Sequence, residues 1–369
     1  RNKTYGLTMA LVPSYIQRLA NYAPGKPISE AQREFGFEKF IKLASNENPL
    51  GPSPKGMEAV QYSLNKLHRY PDSAGYELRA KLAERFNVKI ENVILGAGSE
   101  GIISTIMRTF LLHDDELISA ENSFIGFRVL ANASGRRTHW VPMKNYRYNL
   151  EAIAEKITDY TKIIYIANPD NPMGTTISRD EFDRFYKHVP ERVLIILDEA
   201  YYEYVQDSPD FPDSMAYRYD NVITLRTFSK AYGLAGVRIG YGFAHHTLIE
   251  NLMKVKEPFE PSFVAQAAGL GALEDMEFLL KSIETNKTGM AYLKKELNQL
   301  GVMQIPSATN FITTVWESEE KANNLVQELL ENGIIVRSLK GFGWPNCIRI
   351  SIGLPEENQQ FIACIKEIL

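Results

Sequence analysis

Val193-Leu194-Ile195-Ile196-Leu197-Asp198-Glu199-Ala200-Tyr201 is the stretch whose reading decides the fold. An unbroken run of apolar β-formers describes a strand covered on both faces, as in a parallel sheet sandwiched between helices. Such a strand carries Asp198, with Glu199 and Tyr201 close behind, to its carboxyl end. Upstream, Ile163-Ile164-Tyr165-Ile166-Ala167 is a similar run and leads into Asn168-Pro169-Asp170-Asn171-Pro172-Met173-Gly174-Thr175. Each proline there bars the preceding residue from the helical region, so the segment is a turn-forming loop. Downstream, Val222–Arg226 leads into Thr227-Phe228-Ser229-Lys230, followed by Gly233, Gly236 and Arg238. One lysine therefore sits among hydroxyls, flexible backbone and a guanidinium.

Working outward, strand-like and amphipathic segments alternate in the way that builds a doubly wound α/β sheet. The expected strands are 92–95, 116–120, 138–141, 162–167, 192–197, 222–226 and 239–243, which makes seven for one large domain. Between them lie helical segments at 75–87, 102–112, 179–188 and 246–256. Past Pro258 and Pro261 the pattern changes to longer helices at 263–274 and 276–300. Shorter strands at 310–315, 334–336 and 347–352 and a closing helix at 355–369 then read as a smaller α+β domain. The expected division is an N-terminal arm and part of the small domain over 1–45, a large domain over 46–260 and a small C-terminal domain over 261–369. The proline-rich stretch from Asn48 to Pro54 reads as an extended connector.

Composition narrows the function classes. The chain has 369 residues, is 44% hydrophobic and 23% charged, and carries a formal net charge of −4, so it can bury a large core and offers no broad basic field for nucleic acid. Its two cysteines, Cys347 and Cys364, are too few for a disulfide framework, which points to a reducing, cytoplasmic setting. No apolar run reaches membrane-spanning length, and no metal-ligand spacing stands out.

A lysine, a strand-end carboxylate, a phenol and a phosphate-binding arginine together suit pyridoxal 5′-phosphate. That cofactor needs a lysine to hold its aldehyde as a Schiff base, an acid against its pyridine nitrogen and a clamp for its phosphate. Singly, each group has a plainer reading: a serine-capped helix start, a turn aspartate, a surface ion pair. Their appearance in order, with the Asn-Pro loop upstream, favours the joint one. The turn Gly96-Ala97-Gly98-Ser99-Glu100-Gly101 runs from a strand into a helix, so the amides of Gly98, Ser99 and Glu100 can face an anion.

The segments Asn168–Gly174, Asp198-Glu199-Ala200-Tyr201 and Ser229–Arg238 resemble the fold-type I aminotransferases. Adding Lys42–Pro54 and Arg69-Tyr70-Pro71-Asp72 makes the chain similar, over nearly its whole length, to the histidinol-phosphate aminotransferases of the class II subfamily. The resemblance implies transamination of L-histidinol phosphate with 2-oxoglutarate in histidine biosynthesis. Lys230 is implied to hold the cofactor and shuttle protons, Asp198 to pair with the ring nitrogen, and Tyr201 and Asn171 to bind the ring's 3-oxygen. Thr227, Ser229 and Arg238 are implied to bind the phosphate, and Phe124 to cover the ring face. The family has an acidic residue where Ser99 stands, a departure in this chain. Tyr70 is implied to reach the phosphate of a second subunit, which makes the working form a homodimer. Arg349, Arg337, Asn46 and Tyr22 are implied to face the substrate. An aromatic amino-acid aminotransferase, a phosphoamino-acid decarboxylase and a pyridoxal-phosphate-sensing regulatory domain are the alternative readings.

Overall fold

The computed structural model describes residues 11–21, 33, 40–212, 214–217 and 220–369. Its centre is a seven-stranded sheet formed by β1 (Val93–Gly96), β2 (Glu116–Ala120), β3 (Arg137–Val141), β4 (Thr161–Ala167), β5 (Leu194–Asp198), β6 (Val222–Thr227) and β7 (Gly240–Phe243). The spatial order is β1-β7-β6-β5-β4-β2-β3. Every pairing is parallel except those of β7, which runs antiparallel to both β1 and β6. The carboxyl ends of β1 to β6 therefore lie along one edge, where an open α/β sheet places its ligand crevice.

The central runs Ile163–Ala167 and Leu194–Leu197 are apolar at every position because both faces are covered. On β4, Ile163 and Tyr165 pack in one cluster with Ile102, Ile106 and Phe127 from the helices Gly98–Phe110 and Ile125–Ala133. Ile164 and Ile166, one step out of phase, pack in another with Ile153, Phe182 and Phe185. Side chains alternate across a strand, so a single run feeds two cores.

A second sheet has four antiparallel strands: β8 (Met303–Ile305), β9 (Phe311–Val315), β10 (Arg337–Ser338) and β11 (Cys347–Ser351), in the order β10-β11-β9-β8. It shares a core with the helices Met276–Gln299, Glu319–Glu331 and Pro355–Ile368, through Leu293, Leu325, Phe361 and others. Leu43 joins that core, because Ile41–Lys42 pairs in parallel with Ile334–Ile335. The segment just before Ser45 is thus built into the C-terminal core.

One expectation needs correction. The stretch ending at Pro54 is not only connector: a helix starts there and runs over Pro54–Ser63. Ser53 caps it by accepting from the Gly56 amide at 3.1 Å, and Pro54 supplies the fixed φ suited to a first helical turn. The Ser53 hydroxyl also donates to Asp275 at 2.7 Å, and Asp275 in turn caps the Met276–Gln299 helix. Among the described residues, five further helices went unread in the sequence: Ile125–Ala133, Leu150–Glu155, Glu319–Glu331 and the single turns Ser14–Gln17 and Ser214–Tyr217.

The β1–β7 edge is packed backbone on backbone. A Cβ added to Gly240 would stand 2.6 Å from the Gly98 carbonyl carbon and from the Ser99 nitrogen, neither of which can swing aside. Gly240→Ala should therefore lower stability by about 1–3 kcal/mol in chemical denaturation. Gly236→Ala, whose Cβ meets nothing within 4 Å, should change it by less than about 0.5 kcal/mol.

Candidate active site

The site lies where the carboxyl ends of β1, β2, β4, β5 and β6 meet. At the end of β1 the chain turns through Gly98, at φ +71°, into the Gly98–Phe110 helix. A side chain there would collide with the Arg238 guanidinium, since a Cβ would stand 2.5 Å from its Nη2. Arg238 itself takes a left-handed conformation at φ 61° just before β7. Its Nη1 donates to the Ser229 hydroxyl at 3.4 Å and to the Ala235 carbonyl at 3.2 Å, and its Nη2 lies 3.4 Å from a Glu100 carboxylate oxygen. The Thr227 hydroxyl donates to Ser229 Oγ at 2.9 Å. A helix N-terminus, two hydroxyls and a guanidinium thus converge on one spot, the composition of an anion site.

Asp198, the last residue of β5, is buried at 3% exposure. The Tyr165 hydroxyl donates to its Oδ2 at 2.8 Å, while its Oδ1 is buried without a hydrogen-bond partner among the described residues. Burial pushes the carboxyl up to about 6. A buried oxygen left bare costs free energy unless a donor comes to it, and a cationic N–H would favour the ionised form. Glu199, next along, is used differently: it forms a buried ion pair with Arg226, with bonds of 3.0 and 2.9 Å.

Lys230 is half-buried, and its ammonium lies 5.8 Å from the centre of the Tyr201 ring. Burial, with the nearby Arg349 and Arg238, lowers its pKa to about 8. The Tyr201 hydroxyl is buried and accepts from the Asn46 amide at 2.9 Å; burial pushes it up to about 12. Asn46 takes a left-handed conformation, at φ 56°, and is fixed by Ser351 and Asn310. The Asn171 side-chain oxygen accepts from Arg349 at 2.5 Å, and Arg349 also donates to the Ala44 carbonyl at 2.8 Å.

Two adjoining cavities result. One, of about 200 Å³, is lined by Gly98, Asp198, Thr227, Ser229 and Arg238 among others. The second, of about 400 Å³, is lined by Asn46, Ile125, Leu130, Arg337, Phe342 and Arg349 among others. Glu100, Phe124, Asn171 and Lys230 line both, so the lysine stands at their junction. Arg337 and Arg349 are direct cross-strand partners on β10 and β11, each with its guanidinium about 6 Å from the centre of the Phe342 ring. Like charges placed opposite each other repel, and an anion between them would relieve the repulsion.

The smaller cavity fits the cofactor expected from the sequence. The bare Oδ1 of Asp198 and the cluster around Arg238 offer an acid for a ring nitrogen and a clamp for a phosphate. Gly98 keeps the clamp open by having no side chain. Among the described residues, no group of three or more histidine, cysteine or carboxylate side chains could hold a metal ion.

The structure thus gathers Gly98, Ser99, Glu100, Phe124, Asn171, Asp198, Tyr201, Thr227, Ser229, Lys230 and Arg238 around one cavity, and Asn46, Arg337 and Arg349 around its neighbour. Tyr70 is not among them: it is 78% exposed and stacks on Phe259, with ring centres 4.3 Å apart. Tyr22 lies outside the described residues. The sequence reading left out Tyr165 and Phe342. Tyr165 had a usable signal, being the one phenol in an otherwise aliphatic strand run, in phase with the cavity-facing end of β4. Phe342 had none, since it reaches the cavity from a short turn between β10 and β11.

The lowered pKa of Lys230 has a kinetic consequence. The neutral amine attacks an aldehyde, so the rate at which borohydride traps pyridoxal 5′-phosphate on Lys230 should rise about tenfold per pH unit below pH 8 and level off above it. An ordinary lysine would keep climbing to about pH 10.4. Peptide mass analysis of the trapped adduct across pH measures the difference.

Residues 38–365 match the family model for aminotransferases of class I and II. The chain is 41% identical over 364 residues to a histidinol-phosphate aminotransferase from Anaeromyxobacter sp. (strain Fw109-5), covering 98% of this chain and all of that protein. It is 41% identical to histidinol-phosphate aminotransferase 2 from Pseudomonas fluorescens, over 98% of each chain. The crystal structure of histidinol-phosphate aminotransferase from Sinorhizobium meliloti in complex with pyridoxal-5′-phosphate superposes with a TM-score of 0.89 at 27% identity, over 98% of this chain and 100% of that one. Given a doubly wound sheet whose strand ends gather a lysine, a bare buried carboxylate and an arginine clamp, and given these matches, the chain belongs to the class I and II aminotransferase family.

Proposed function

We propose that this chain is a pyridoxal-phosphate-dependent transaminase that moves the amino group of L-histidinol phosphate to 2-oxoglutarate, giving imidazole-acetol phosphate and glutamate in histidine biosynthesis. Relatives at about 41% identity over nearly the full length carry that name. The observation that carries the substrate reading is the facing pair Arg337 and Arg349 beside the lysine. Two guanidiniums suit a dianionic phosphate monoester in one half-reaction and a distal carboxylate in the other.

The geometry supports the following residue roles. Lys230, at the junction of the cavities, would hold the cofactor's aldehyde and stands where its amine could move a proton at the substrate's α-carbon. When bound, the cofactor supplies a protonated heterocycle that draws electrons from that carbon. Asp198 would meet the ring nitrogen with its bare Oδ1 and favour its protonated form, and Tyr165 keeps the carboxylate in place. Tyr201 and Asn171 hold the 3-oxygen; Asn46 orients the phenol, and Arg349 orients the amide. Gly98, Ser99, Thr227, Ser229 and Arg238 take the phosphate, and Phe124 bounds the ring. We assign cofactor binding to a unit over about 46–260 and the substrate arginines to one over about 261–369, with 1–45 as an N-terminal arm and part of the smaller unit.

The working form we infer is a cytoplasmic homodimer in which Tyr70 completes the partner's site. Supporting it, Tyr70 is exposed and stacks on the exposed Phe259, and Leu64, Leu67 and Tyr76, close to it in sequence, are exposed too. Among the described residues no helix is long and apolar enough to cross a membrane.

Mixing L-histidinol phosphate with the holoenzyme should bleach its visible band, and 2-oxoglutarate should restore it. Phenylalanine and phosphothreonine should leave it largely unchanged. A band that responds only to phenylalanine, or only to phosphothreonine with loss of carbon dioxide, would replace this reading with the corresponding rival. Arg337→Ala should raise KM for histidinol phosphate about 10- to 100-fold, the weight of one charge-assisted contact.

The dimer has its own test. Lys230→Ala and Tyr70→Ala homodimers should both be nearly inactive. Hybrids made by refolding the two together should regain activity at one site per dimer, whereas no recovery would place Tyr70 outside the partner's site.

A further inference from the structure

Behind the cofactor cavity lies a polar chain made of residues that line neither cavity. Tyr148, Ser123 and Asp170 are all buried, Asp170 completely. The Ser123 hydroxyl donates to Asp170 Oδ1 at 2.6 Å. A serine has only one proton to give. The 2.7 Å contact between Tyr148 and Ser123 must therefore be donated by the phenol. The Tyr148 oxygen in turn accepts the Ala167 amide at 3.0 Å. Donors run in one direction, from the Ala167 N–H through Tyr148 and Ser123 to a carboxylate that ends the chain.

Both ends of this chain and its serine link lie on three backbone segments around the cavity. Ala167 is the last residue of β4, in register with Asp198. Ser123 precedes Phe124, and Asp170 precedes Asn171. The second carboxylate oxygen, Oδ2, accepts the Met173 amide at 3.0 Å, while the Asp170 carbonyl accepts Gly174 N–H at 2.9 Å. The loop is thereby closed on itself with Asn171 at its crest.

We propose that Tyr148, Ser123 and Asp170 form one directional hydrogen-bond relay that positions the Phe124 ring and the Asn171 amide against the cofactor, and that Asp170 is the positioning residue on which it ends. The assignment rests on the cofactor reading above. A carboxylate is required at 170 because both of its oxygens face donors. An asparagine of the same shape would turn its NH2 either on the Met173 amide, setting donor against donor, or on the Ser123 hydroxyl, which would then have to reverse and leave the Tyr148 proton without its acceptor. Chains of this kind, buried and fully paired, hold their ends more firmly than the separate bonds would.

The test reads the pH midpoint of the holoenzyme's visible band without substrate, together with cofactor affinity by fluorescence and thermal stability. Ser123→Ala and Asp170→Asn should each raise the midpoint by about one pH unit, the effect of loosening one hydrogen bond to the 3-oxygen. Ser123→Thr, which keeps the hydroxyl, should restore it. The double variant Ser123→Ala/Asp170→Asn should shift it by clearly less than the sum, because removing the serine leaves room for the amide's NH2. A lowered melting temperature with an unmoved midpoint, or strict additivity, would overturn the proposal. Because no substrate enters the measurement, it stands whichever amine the enzyme uses. A wild-type protein with no visible band would count against the cofactor reading instead.

Discussion

The constraint on which the site depends is a carboxylate held at the covered end of a central strand. Placing Asp198 there strips it of water, and one phenol compensates for only one of its oxygens. A fold selected for stability alone would have an aliphatic residue at that position, as it does at Leu194, Ile195, Ile196 and Leu197. The neighbouring features follow from the same position. The lysine arrives from the next strand, the Asn-Pro loop from the previous one, and the phosphate clamp from the turn across β7. Parallel strands bring all of these to one edge without any long excursion of the chain.

The two sheets are joined partly through residues that line the two cavities. Asn46 reaches from the C-terminal core to Tyr201, Arg349 from β11 to Asn171, and the Thr313 hydroxyl from β9 to the Pro172 carbonyl at 2.6 Å. The Ala308 amide bonds to the Gly174 carbonyl at 2.9 Å. Arg349 thus has two neighbours of different kinds: the Ala44 carbonyl, which fixes it in its own core, and the Asn171 amide oxygen, which couples it to the cofactor side.

Much of this was legible in the sequence, for definite reasons. The large-sheet strands were readable because continuous β-branched runs between helical segments leave little else for the chain to do, and their observed ends fall within two residues of the expected ones. Lys230, Asp198 and Arg238 were readable because their spacing ties chemistry to strand ends. The reversed direction of β7 was not, since a short strand of glycines and aromatics looks the same either way round. The Pro54–Ser63 helix was obscured by the prolines before it, although Ser53 and Pro54 are a standard start signal. The Ser123–Asp170 contact could not be read from spacing, because it joins loops that only the parallel register brings together.

The short pairing of Ile41–Lys42 with Ile334–Ile335 has a consequence for the order in which the molecule is built. Asn46 is among the first described residues to be synthesised, yet Asn310 and Ser351, which hold it, are made near the end. A nascent chain released only as far as Phe243 already contains every strand of the central sheet. It has the lysine, the carboxylate and the cluster around Arg238, but lacks the Arg337, Phe342 and Arg349 side of the second cavity. During translation, then, the smaller cavity has all its lining first, and the facing arginine pair of its neighbour is added with the last stretch to leave the ribosome.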